Sequence, residues 1–330
     1  MQSGIELSKS SPSSNRINGQ GPEFQVEGNI FYLTESRRRH SPEPEKIQWS
    51  KQFIVTRKGR QWKIRTTNLN EDAFQYEEMG CDGTKIFQLR QCNANKFPEN
   101  TDDKNFITAS GRVLNGNFPV GFDSNLIFPL WLAYCSSDYF LSRKDDRIVT
   151  PLFLVGDFLS QAVPPTMPLP AKWKLNDSNF ISEITWYSEG TYLHEEDGAS
   201  RFEKYPPPFD VGFLHASFKT TDWTSFSEIL MPRGFVLRVF APNWPEEGEA
   251  QCVVAYTIDA RVQTVHPVQN FSCLPELMRK TGITDTRYRL GNCSGCLLHY
   301  GSSSSWDTEE EIEAKLKSRG IEYEKQTSQG

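Results

Sequence analysis

The chain lacks an apolar run long enough to cross a bilayer as a helix, which takes about 18–20 residues. Its longest apolar stretch, Leu126 to Tyr134, is short and interrupted by Pro129. The first residues, MQSGIELSKSSPSSNRINGQGPEF, contain no apolar h-region and do not read as a signal peptide. As written, the sequence points to the cytoplasm, or to the periplasm if an export signal precedes this start. Positive charge is also scarce: 36 Lys and Arg stand against 42 Asp and Glu, a net charge of −6. A nucleic-acid partner calls for a basic stripe. The short run Arg37-Arg38-Arg39-His40, followed by Ser-Pro-Glu-Pro-Glu, reads instead as a solvated loop. No nucleic-acid partner is expected.

Signatures of catalysis are missing too. There is no Gly-x-Ser-x-Gly elbow, no phosphate-cradling glycine loop and no His-Glu-x-x-His. The five histidines, at 40, 194, 215, 266 and 299, keep unrelated spacings. His194-Glu195-Glu196-Asp197 precedes Gly198 in what reads as a solvated hairpin loop. Ser136-Ser137-Asp138 would need a histidine supplied by the fold to become a nucleophile. Asp102-Asp103 and Asp145-Asp146 are adjacent, so they do not face one another across a cleft. The expectation is a non-enzyme without a cofactor.

Seven cysteines in 330 residues are too sparse for a disulfide-stapled scaffold. Most read as buried small hydrophobes. Cys293-Ser-Gly-Cys296, followed by His299, leaves three readings open: an incidental turn, a local disulfide, or a thiol redox or metal site. Zinc needs four ligands, and no second pair completes the set.

Aromatic residues are plentiful, at 12% of the chain, and suit pleated, half-buried surfaces. Residues 1–22 are Ser-, Asn- and Gly-rich and read as a flexible tail. From Phe24 to Leu33 the residues alternate as in a strand with one buried face. Trp49, Lys51, Phe53 and Val55 line one face of a second strand. Gly59 then permits a hairpin into Trp62-Lys-Ile-Arg-Thr66. Phe74 to Met79 and Lys85 to Arg90 flank Asp82-Gly83, a strong hairpin signal. Asn125 to Leu141 reads as one helix with Pro129 in its first turn. Val163-Pro-Pro-Thr-Met-Pro-Leu-Pro170 reads as a long rigid excursion, with strands resuming at Lys172 to Leu175, Ile181 to Ser188 and Gly190 to Leu193. Phe235 to Phe240 and Gln251 to Val265 are late strands, the second long enough to require a bend. Thr308 and Glu311 form a capping box opening a terminal helix that Gly320 ends. With only Ile312 and Leu316 strongly apolar, that helix should dock shallowly.

These signals predict a mainly β fold: a curved antiparallel sheet, as a half-open barrel, with one helix packed across it and a C-terminal helix. The predicted organisation is a tail (1–22), one β-rich domain (23–306) and a terminal helix with its tail (307–330). The aromatics either fill the core or line an apolar concavity for a lipid-like ligand, the two being compatible. The candidate cleft residues are Trp62, Phe74, Trp131, Tyr134 and Trp186. The leading functional reading is a non-catalytic binder or carrier of a hydrophobic ligand. The alternative is a structural or protein-interaction module without a small ligand.

The order of these features also resembles a known group. A Phe-x-Val-x-Gly strand, a hairpin around Trp62-Lys-Ile-Arg, the turn from Tyr76 to Thr84 and a Leu-Trp-Leu-Ala-Tyr helix follow one another. Thr284-Asp-Thr-Arg-Tyr-Arg and Leu297-Leu-His-Tyr300 close the series. Over residues 24–300 this resembles the uncharacterised paralogous proteins of verrucomicrobial and related bacteria, a likeness that implies no activity. The layout is also similar to the lipoprotein-carrier (LolA-like) fold. That likeness implies an incomplete barrel whose concave face holds acyl chains beneath helices.

Overall fold

The structure is a computed structural model that describes residues 21–36, 45–68, 74–92, 109–119, 124–151, 166–196, 199–245, 248–277, 281–291, 296–302 and 304–326. Its first half is a meander. Strands β1 (Glu23–Ser36), β2 (Glu45–Lys58), β3 (Gln61–Asn68), β4 (Phe74–Cys81), β5 (Lys85–Cys92) and β6 (Ala109–Asn115) pair antiparallel with their chain neighbours. The turns are those expected. Gly59 has φ +62 between β2 and β3. Between β4 and β5, the Asp82 carboxylate accepts from the amides of Thr84 (2.8 Å) and Lys85 (2.7 Å). Strand β6 went unrecognised in the sequence.

The expected single helix is two. Helix α1 (Ser124–Tyr134) stops, and α2 (Ser137–Ser142) starts after Cys135 and Ser136. The Ser136 hydroxyl bonds back to the Leu132 carbonyl at 2.6 Å. Pro129 lies inside α1, not in its first turn. Residues 126–134 are all buried, so α1 is apolar all round and its stability comes from packing.

Beyond α2 come β7 (Arg147–Pro151), β8 (Thr166–Leu175), β9 (Ile181–Ser188), a separate hairpin of β10 (Thr191–Glu196) and β11 (Ala199–Lys204), then β12 (Phe213–Phe226), β13 (Ile229–Asn243) and β14 (Gln251–His266). Two expectations need correction here. Pro168 and Pro170 belong to a strand, because they pair only with the short edge strand β7, while pairing with β9 begins at Ala171. His194 to Glu196 lie in β10, not in a loop. The long β14 bends as expected, with register breaks opposite Val239/Phe240 on β13 and Glu27/Gly28 on β1.

The chain ends with β15 (Thr281–Leu290), β16 (Leu297–Ser302), α3 (Glu309–Ser318) and β17 (Tyr323–Lys325). The strand order is β16-β15-β6-β5-β4-β3-β2-β1-β14-β13-β12-β9-β8-β7, with β17 on β15. The protein is thus mainly β, built on one large sheet that does not close into a barrel. The sheet is mixed, a correction to the all-antiparallel expectation, because β15 runs parallel to β6. Alternating directions along β6 to β1 and on to β14 make β14 and β15 parallel to one another. A crossover must join such strands, and residues 267–277 supply it across the sheet face opposite the helices. Cys273 presses its carbonyl against Gly80 there, where any Cβ would collide with it.

The main core lies on the helix side and draws on strands from β5 to β8, including Ile86, Ile64, Phe53, Phe24, Ile258, Phe235, Phe218 and Trp186. A smaller cluster on the other side holds Phe87, Leu89, Leu277 and Trp306. Helix α3 carries the expected capping box. Its docking is firmer than expected: Ile312 and Leu316 pack with Tyr288 and Leu298. Arg287 bridges Asp285 at 2.7 Å and Glu309 at 3.0 Å, and Lys85 and Lys325 converge on the same Glu309. The described residues contain no helix long and apolar enough to cross a membrane.

Candidate functional site

Arg57 ties helices α1 and α2 to the sheet. Arg57 follows Phe53 and Val55 on the inward face of β2, one position before the turn to β3, and is 2% exposed. Its Nη1 donates to the Tyr134 carbonyl at 3.0 Å and to Ser137 Oγ at 2.8 Å, and its Nε donates to the Gly59 carbonyl at 2.9 Å. Asp138 lies 3.6 Å from Nη2. The guanidinium thus sits at the negative end of α1, where the last carbonyls lack partners within the helix. Burial lowers its pKa from the ordinary arginine value, with Asp138 opposing the shift. Ser137, a candidate nucleophile by sequence, is occupied as an acceptor of this clamp.

Beside the clamp is a cleft of about 230 Å³ lined by Trp62, Trp131, Cys135, Tyr139, Arg60 and Asp138, among others. Two of the five predicted aromatics therefore meet at one opening. Trp131 packs edge-on against Phe118 (4.9 Å) and Tyr139 (5.4 Å). Its Nε1 is buried without a hydrogen-bond partner, which costs roughly 1–3 kcal/mol. Burial pushes the Cys135 thiol up to about 12, so at neutral pH it is a protonated apolar surface and not a nucleophile.

The other predicted residues are distributed through the core. Tyr134 contacts Phe24, Phe53 and Phe235, and its hydroxyl donates to the Pro232 carbonyl at 3.3 Å. Trp186, on β9, is fully buried with an unpaired Nε1. Neither residue lines a described cavity. Phe74 begins β4, but its side chain lies outside the described residues. Cys293 also lies outside them, while Cys296 is disulfide-bonded. Among the described residues no group of three His, Cys, Asp or Glu could hold a metal.

Sequence reasoning missed Arg57, Arg60 and Tyr139. The parity of β2 offered the signal for Arg57, since positions 53, 55 and 57 share one face. Tyr139 stood in the aromatic helix segment but gave no sign of which way it would point.

No family model matches the chain, and no curated protein matches its sequence. Among solved structures, the chain is similar to a LolA superfamily protein from Nitrosomonas europaea, at a TM-score of 0.34 and 8% identity, over 76% of this chain and 87% of that one. A DUF1329 family protein from Desulfovibrio piger has the same TM-score and coverage at 7% identity.

Proposed function

We propose that the protein is a non-catalytic binder of a hydrophobic, lipid-like ligand, entered through the cleft where Trp62 and Trp131 meet. The observation that carries this reading is the cleft itself: two tryptophans at one opening, one with a buried indole N–H that has no partner. About 230 Å³ falls short of the roughly 300–1,000 Å³ of drug-sized ligand sites. An acyl chain would therefore need α1 and α2 to lift from the sheet. Such a ligand would replace the contacts these helices make, shifting the population towards an open form. On this reading the sheet curves around α1 as a half-open barrel, which is supported by Tyr134 touching β1 and β2 on one side and β13 on the other. The same reading sets the chain beside the uncharacterised verrucomicrobial-type proteins, with work at the bacterial envelope.

A second reading, an interaction module without a small ligand, is favoured by how completely the core is filled: Trp131, Tyr134 and Trp186 are at most 1% exposed. Native mass spectrometry of protein purified from its own host, followed by organic extraction, separates the two. A near-stoichiometric apolar molecule supports the binder, and a clean apo mass supports the module. Trp62→Ala and Trp131→Ala should each weaken binding of a fluorescent fatty acid. Unchanged affinity in both would overturn the site.

A further inference from the structure

The crossover segment roofs a second cavity on the opposite face of the sheet. Even-numbered residues of β2 and odd-numbered residues of β3 point away from the helices, so Ile54, Thr56, Lys63 and Arg65 lie side by side there through the register Thr56↔Lys63 and Ile54↔Arg65. Glu78 on β4 faces Arg65, and the segment from Gln269 to Ser272 closes over them around about 170 Å³. The roof is fixed on its far side by Gly80 under Cys273, by the Glu276 amide on Glu78 (3.3 Å), and by the Trp306 indole N–H on the Pro275 carbonyl (2.7 Å).

The charges inside do not balance. Glu78 is fully buried and already committed to Arg65 at 2.6 Å and to the Glu276 amide. The Lys63 side chain makes no ion pair or hydrogen bond among the described residues, so the lining, with Arg65 and Glu78, carries one positive charge in excess. Ser272, exposed at the rim, has its Oγ accepting from the Leu274 amide at 3.2 Å, which leaves its own proton available to a ligand. Two further carboxylates stand near this face but outside the lining: Asp82 accepts from the amides of Thr84 and Lys85, and Glu27 accepts from Gln25. Ile54 and Phe271 add two apolar surfaces.

We propose that this cavity binds a small organic carboxylate. Its oxyanion pairs with Lys63 and the Ser272 hydroxyl, and its short apolar body lies between Ile54 and Phe271. The site is separate from the tryptophan cleft, lying on the opposite face of β3 from it, and does not depend on it. The test is a titration of the full chain with butyrate, followed by amide chemical shifts, with inorganic phosphate as the comparison anion. Butyrate should give saturable shifts at Asn270 to Ser272. Lys63→Met should weaken binding at least about tenfold and Phe271→Ala severalfold, with circular dichroism spectra unchanged. Lys63→Gln guards against any fold defect in the first variant and should weaken binding equally. Absence of saturable shifts, or equal affinity in the Lys63 variants, would overturn the site. Phosphate binding more tightly than butyrate would overturn the apolar wall.

Discussion

Replacing Arg57 with Met tests whether the helix layer is held by a charge. Methionine keeps the length and apolar stem but removes three hydrogen bonds, to the carbonyls of Tyr134 and Gly59 and to Ser137 Oγ. Hydrogen bonds to a charged group contribute about 1.5–3 kcal/mol each. Against that loss stands the desolvation of a guanidinium that is 2% exposed, a cost of several kcal/mol that methionine does not incur. The Tyr134 carbonyl and Ser137 hydroxyl would be left buried without this donor, so the balance comes out at a destabilisation of about 2–4 kcal/mol. Asp138 is half exposed, and its weak ion pair predicts less than about 1 kcal/mol for Asp138→Asn. Equilibrium urea unfolding, followed by tryptophan fluorescence, measures both. A shift within about 0.5 kcal/mol for Arg57→Met, or a stabilisation, would refute the clamp and show that desolvation outweighs the hydrogen bonds.

Three further outcomes are expected. Hydrogen bonds from Lys325 and Lys85 hold the Glu309 carboxyl down at about 2; its stabilising effect is full above the ordinary glutamate range and lost as pH falls towards 2, so Glu309→Gln should flatten the melting temperature against pH in that window. Burial pushes His215 down to about 4, so the unfolded chain takes up its proton first and stability should fall as pH drops from about 6.5 towards 4. His215→Phe should remove that slope, and an unaltered slope would show that the histidine is not its source. Gly80→Ala would drive a methyl into the Cys273 carbonyl and should cost about 1–3 kcal/mol by chemical denaturation, whereas Gly59→Ala, with open space around its Cβ position, should cost less than Gly80→Ala despite its positive φ.

The hairpins from β1 to β5 were legible because local chemistry fixes them: alternation gives each strand a face, and Asp82-Gly83 and Gly59 give the turns. Strand β6 and β15 to β17 were not, since β6 and β15 pair with each other from distant parts of the chain and β16 and β17 pair with β15. Ala109-Ser-Gly-Arg-Val has little apolar character, yet Ala109 and Val113 are buried against Ile283 and Trp306. The prolines of β8 misled for a related reason, because whether a missing N–H matters depends on which neighbour lies alongside. In the candidate site, the aromatic residues announced themselves by type. Position in sequence alone could not say that Trp62 and Trp131 would share an opening while Trp186 was fully buried in the core. Arg57 was hidden by its company, a basic turn that reads as solvated although its parity points inward.

The place of β1 in the sheet has a consequence for how the protein is made. One edge of β1 pairs at once with β2, but the other waits for β14, and the free edge of β6 waits for β15. A ribosome must add the 214 residues between Ser36 and Gln251 before the first edge can be covered, and the 165 between Asn115 and Thr281 before the second. Through that interval the nascent chain offers unpaired strand edges, which invite pairing with other chains. Contacts this distant in sequence also make for slow folding. A fragment ending before residue 251 would keep both edges open, and protection of the growing chain should matter more for this protein than its finished stability suggests.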